Sequence, residues 1–176
     1  MIELDFKEYK VNIKNKASEI NLDELIKVSN VFRDGKSNIK IWLRILGILS
    51  DDERYVYMSD DMLFDIIGKL DINSSDYIKD IKIGDKTYTA DFDDKGEPKL
   101  NLFYLSELED FINKNPDGWI KDAICLLFKI EKNTDGINES LTADIVIPYV
   151  NYINNKLTTN FEKLNKLLTD GNKGLS

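Results

Sequence analysis

Residues 2 to 12, IELDFKEYKVN, and residues 81 to 91, IKIGDKTYTAD, follow one pattern. Laid together without a gap they put Ile2 on Ile81, Leu4 on Ile83, Lys7 on Lys86, Tyr9 on Tyr88 and Val11 on Ala90. The likeness continues. LNLFYLSELEDFI at 100–112 overlays INLDELIKVSNVF at 20–32, with Asn101 on Asn21, Leu102 on Leu22, Leu105 on Leu25, Leu108 on Val28 and Phe111 on Val31. WIKDAICLL at 119–127 overlays NIKIWLRIL at 38–46, and Thr142, Asp144, Ile145 and Val146 fall on Ser59, Asp61, Met62 and Leu63. The offset grows from 79 to 83 along the chain, a period well beyond that of ordinary solenoid repeats.

Each repeated segment has its own periodicity. Ile2, Leu4 and Phe6, then Tyr9, Val11 and Ile13, alternate with polar residues on either side of Lys7-Glu8, which predicts a hairpin with one buried face. Gly84-Asp85 suits the tight turn of a second hairpin. Asn21 with Glu24 three residues on is a capping box opening a helix with an apolar stripe of Leu22, Leu25, Val28, Val31 and Phe32. Ser59 caps a further helix whose Met62, Leu63, Ile66, Ile67 and Leu70 face a core.

The expected fold is therefore α+β and mainly helical. Two tandem copies of a hairpin plus three helices occupy residues 1–76 and 77–153, with a C-terminal helix extension and end at 154–176. A lone hairpin is marginal in water, so the two hairpins can pair into one small antiparallel sheet backed by helices around a shared core.

The long C-terminal helix has no counterpart in the first copy. Val150, Ile153, Leu157, Phe161, Leu164 and Leu168 recur at spacings of three and four, with Asn and Lys between them. So narrow an apolar seam docks on one partner, within the chain or outside it. Pro148, near its start, is expected to bend or interrupt the helix.

Chemistry is harder to find. The chain has no His, which removes the commonest general base and zinc ligand. Cys125 sits inside the apolar DAICLLF and reads as a core thiol. Asp91, Asp93 and Gly96 imitate the start of a calcium loop, but Lys95 and Leu102 stand where ligands belong. In SDDERYVYMSDD, Asp60 and Asp61 fall in the first turn of a helix, whose dipole favours them, and that role suffices. No glycine loop able to cradle phosphate is present, so no catalytic residue, metal or cofactor is expected and the protein is expected not to be an enzyme.

A net charge of −8 argues against nucleic acid as a partner. No apolar run is long enough for a membrane span and Met1 opens an acidic segment, so a cytoplasmic protein is expected, consistent with a single cysteine. The acidity lies in the body, since residues 151–176 carry four Lys against Glu162 and Asp170.

A strand pair ending in K-x-Y, the helices INLDELIKVS and IWLRILGILS, then IKIGDKTYTADF, YLSELEDFI and IKDAICLLFKI, resemble the tail assembly chaperone-like proteins of bacteriophages over most of residues 1 to 153. The resemblance implies a non-enzymatic role in the host cell cytoplasm, binding a tail or tape measure protein during virion assembly, and it carries over no catalytic positions. The seam from Val150 to Leu168 departs from that pattern. It suits an alternative, a structural or packaged component of the particle contacting neighbouring subunits through its C-terminal helix, with a homo-oligomer as a further option. The partner-binding candidates are Ile153, Leu157, Phe161, Leu164 and Leu168 of the seam, together with Trp42 and Trp119, large aromatics that serve equally in cores and at interfaces.

Overall fold

The structure, a computed structural model, describes residues 1–6, 8–34, 39–72, 76–100 and 102–173, without the side chains of Asp34, Leu102, Phe161 and residues 163–173. Strands β1 (Ile2–Phe6) and β2 (Tyr9–Ile13) pair antiparallel, with Ile2 opposite Ile13, Leu4 opposite Val11 and Phe6 opposite Tyr9. Alternation puts these three pairs on one face. Leu4, Val11 and Ile13 are buried there, and the Phe6 and Tyr9 rings stack with centroids 4.8 Å apart. Strands β3 (Asp80–Ile83) and β4 (Lys86–Thr89) repeat the arrangement with Ile81 opposite Tyr88. Gly84 in their turn has φ +57°, a conformation in which any Cβ is strained. In the first hairpin's turn, Lys7 lies outside the described residues.

Among the described residues the hairpins form two separate two-stranded sheets. The expected four-stranded sheet is thus not what forms. Each hairpin instead lays its apolar face on its own set of helices, which buries it without a strand-to-strand contact.

The helices are α1 (Leu22–Asp34), α2 (Ile39–Leu49), α3 (Asp60–Gly68), α4 (Leu102–Lys114), α5 (Trp119–Phe128), the single turn α6 (Ile137–Ser140) and α7 (Ala143–Lys173), with short 3-10 turns at Ala17–Glu19 and Glu53–Tyr57. The fold is mixed α+β and mostly helical. The capping box of α1 is complete: the Glu24 N–H donates to Asn21 Oδ1, and the Asn21 N–H to Glu24 Oε2, both at 3.0 Å. The Ser59 hydroxyl accepts from the Met62 N–H at the start of α3.

Hairpin and helices recur in the same order in both halves, but α7 has 31 residues where α3 has 9. The expected boundary at 153/154 falls inside α7, so the extension is the continuation of a helix that begins in the core. Pro148 does not interrupt it. Only the Asp144 carbonyl loses its donor there, and burial of Val146, Tyr149 and Ile153 around the proline holds the helix across it.

The interior is two clusters and not the single one expected. Leu4, Val11, Ile13, Ile45, Leu46, Leu49, Leu63 and Ile66 belong to the first, and Ile81, Leu108, Ile124, Phe128, Tyr149 and Ile153 to the second. Two helices join them. On α1, Val28 and Val31 lie in the first cluster, Leu22 in the second, and Leu25 packs against both. On α7, Ala143 lies in the first cluster and Val146 in the second.

Candidate functional site

The seam of α7 starts inside the molecule. Ile153 is fully buried in the second cluster and Leu157 is half-buried against it, so this stretch of the seam is occupied by its own chain and no partner reaches Ile153 without opening that cluster. Polar contacts hold the same turns: Tyr152 Oη and Lys156 Nζ both meet the Glu97 carboxylate, at 3.2 and 3.4 Å. Tyr149, fully buried, donates its hydroxyl to the Ile78 carbonyl at 2.7 Å, and burial pushes its pKa well up. The side chains of Phe161, Leu164 and Leu168 lie outside the described residues. Their backbone continues the helix, to Lys173.

The two tryptophans divide between the halves. Trp42 on α2 is half-buried against the first cluster and meets Phe32 edge-on at 5.8 Å. Trp119 opens α5 and is half-buried against the second cluster. They do not come together: Trp119 packs against the cluster that holds Ile153, and Trp42 against the other.

The sequence reading missed the surface of the first half. Phe32, Ile39, Val56, Tyr57 and Phe64 are exposed, Tyr57 at 73 % and Phe64 at 60 %. Phe32 is given to the core stripe of α1 by spacing alone, whereas what lies over the edge of a stripe is a tertiary matter; Phe64 falls off the core-facing stripe of α3, and Val56 and Tyr57 belong to the Glu53–Tyr57 turn. Beside these residues, α1, α2 and the Glu53–Tyr57 turn enclose an open groove of about 720 Å³ lined by Lys27, Asn30, Arg44, Glu53 and Val56 among others. Gly47 lies at its floor, where a Cβ would press on the Tyr55 hydroxyl and oblige that ring to shift.

The carboxylate-rich loops are engaged in holding backbone. Asp93 accepts the N–H groups of Lys95 and Glu97 at 2.9 and 3.0 Å, closing the turn in which Gly96 has φ +76°. Asp51 accepts both the backbone and the side-chain amide of Asn12, each at 2.8 Å. Asp52 caps the Glu53–Tyr57 turn, and hydrogen bonds from Arg54 hold its carboxyl down to about 2. Arg54 in turn lies over the Tyr9 ring at 4.0 Å, which ties this loop to the first hairpin. Burial raises the Cys125 thiol above its ordinary range, unlike an activated nucleophile. Among the described residues no group of three His, Cys, Asp or Glu could hold a metal ion, and no helix is long and apolar enough to cross a membrane.

Comparison with protein-family models, curated proteins and solved structures finds no match to this chain.

Proposed function

We propose that this protein is a non-enzymatic binding protein of bacteriophage tail assembly, holding a tail or tape measure protein soluble in the host cytoplasm while the particle is built. The likeness of residues 1–153 to tail assembly chaperones supplies the phage setting. The observation that carries the binding role is the length of α7: it continues to Lys173, past Leu157, the last of its residues described against the second cluster. In those further turns Phe161, Leu164 and Leu168 continue the apolar spacing, Ile153 and Leu157 anchor the helix, and Trp42 and Trp119 flank the groups of helices it leaves. An acidic body favours a basic or neutral partner.

The length of α7 also favours a second reading, a packaged component that contacts neighbouring subunits through that helix. Expression of the tagged full chain in cells producing the phage, with the tape measure protein and the finished particles purified separately, distinguishes the two. Co-purification of that protein, with the chain missing from finished particles, supports the chaperone. Recovery of the chain in particles at fixed copy number supports the component, and neither outcome together with no complex removes both.

The proposal extends to origin: the two halves descend from one copied unit. At a shift of 83, Leu63 and Val146 are both buried, as are Ile66 and Tyr149, while Met62 with Ile145 and Ile67 with Val150 are all half-buried. At a shift of 80, Val28 and Leu108 are buried alike. Failure of α1 and α3 to superpose on α4 and α7 as a group would remove this part.

A further inference from the structure

The halves are joined head to tail. Helix α1 lies on α5, α6 and α7 of the second half, and the Ala143 N–H donates to the Ile20 carbonyl at 2.8 Å. Helix α7 answers through Ala143, buried in the first cluster, and Ile147, packed against it. At the matching positions of α3 stand Asp60 and Phe64, and both are exposed. The second helices differ in the same sense: α5 buries six residues, Ile120, Ala123, Ile124, Cys125, Leu127 and Phe128, against the four of α2, Ile41, Ile45, Leu46 and Leu49. What α1 covers in the second half has no equivalent cover in the first among the described residues.

Helix α4, which holds the place of α1 in the second half, is unsuited to cover it in another copy. The stripe by which α1 docks runs through Leu22, Ile26, Asn30 and Arg33, and the matching positions after residue 102 are Ser106, Asp110 and Asn113. That stripe is polar after Leu102 and, among the described residues, carries no free cation, and Phe64 is itself flanked by Asp60, Asp61 and Asp65, so the two surfaces match neither in apolar character nor in charge. The chain has one basic amphipathic stretch left. Residues 154–173 carry Lys156, Lys163, Lys166 and Lys173 against Glu162 and Asp170, with the apolar spacing already described. A chain cannot bring this stretch to its own α3, because α7 leaves the first cluster after Ile147 and runs along the second past Ile153. At about 1.5 Å per residue, position 168 lies roughly 37 Å down the axis from Ala143.

We propose that the last turns of α7 of one copy dock on the first half of the next, over the exposed Val56, Tyr57 and Phe64 that lead into and along α3. Lysines against aspartates and apolar residues against apolar ones hold the contact. It joins two different surfaces, so it propagates into a ring or an open chain. This inference rests on the reading of the end of α7 as an interface, and adds the surface that receives it.

Sedimentation of the full chain tests it by complementation. The wild-type mass should rise with protein concentration and fall back as salt is added. Phe64→Asp, and separately the double change Phe161→Glu with Leu164→Glu, should each weaken self-association by roughly tenfold or more. Mixed together, the two variants should form a complex of one copy of each and go no further, since each supplies the surface the other lacks. Phe103→Asp, equally exposed on α4, should associate like wild type, and unchanged thermal unfolding of all variants shows that the fold is kept. A monomeric wild type, or two variants that stay apart when mixed while wild type associates, overturns the proposal. If the monomeric chain still binds a tape measure protein and the change at Phe161 and Leu164 abolishes that, the end of α7 is an interface for another protein and only the self-docking falls.

Discussion

Single residues in this chain are engaged in ways that solution experiments can read. The Asp52 carboxyl, held down to about 2 by Arg54, ionises more readily folded than unfolded, so it contributes stability that is present above the unfolded carboxylate range and is lost as pH falls through the folded value. Between about pH 4 and pH 2 the wild type should therefore lose stability more steeply than Asp52→Asn, as followed by urea midpoints across that window. Tyr149 offers a second test. Its ring is packed edge-on against Phe128 at 5.2 Å while its hydroxyl meets the Ile78 carbonyl, so Tyr149→Phe keeps the ring and leaves that carbonyl without its donor. The expected loss is about 1–2 kcal/mol in denaturant unfolding. The capping box was legible in the sequence because Asn21 and Glu24 need only each other. The Tyr149 hydroxyl was not, because Ile78 is 71 residues away and is brought there by the connector before β3.

At the scale of elements, α7 is the one whose role changes most between sequence and structure. Spacing identifies a seam from Val150 to Leu168 but cannot say how much of it the body uses. The structure uses it as far as Leu157, where Lys156 also reaches Glu97. A chain ending at Asn160 should therefore unfold cooperatively and within about 0.5 kcal/mol of the full chain, because no described core contact is removed. A chain ending at Ile153 should be less stable by about 1–2 kcal/mol, through loss of the apolar area of Leu157. Equal stability of the two would show that the body ends earlier than the packing of Leu157 implies. The hairpins differ from α7 in this respect. Their alternation specifies one buried face, but which surface covers that face is settled by the helices, and each hairpin found its own.

For the whole molecule, two clusters joined by α1 and the start of α7 make the halves interdependent. Leu25 packs against both clusters, and polar contacts reinforce the junction: Asn30 donates to the Asp117 carbonyl at 3.1 Å, Asn138 to Asp23 at 2.9 Å, and Arg33 to the Asp117 carboxylate. Loss of either half exposes α1, so one transition is expected. Trp42 and Trp119 report on the two halves separately. Fluorescence of Trp119→Phe, which follows the first half, and of Trp42→Phe, which follows the second, should give coincident unfolding midpoints once each variant is referred to its own circular dichroism. Separated midpoints would mean that the clusters fold as independent units.

Periodicity and caps suffice to locate two hairpins and the principal helices, because alternation, helical spacing and end-capping act over a few residues. They also give Cys125 a place in a core helix and Asp93 a place in a turn, which the buried thiol and the N–H groups of Lys95 and Glu97 on Asp93 match. Neither the separation of the sheets, nor the division of the core, nor the exposure of Phe32 could be read that way. Those depend on which amphipathic face lies over which, and the same stripe of apolar residues is core under α1 and surface where no helix covers it.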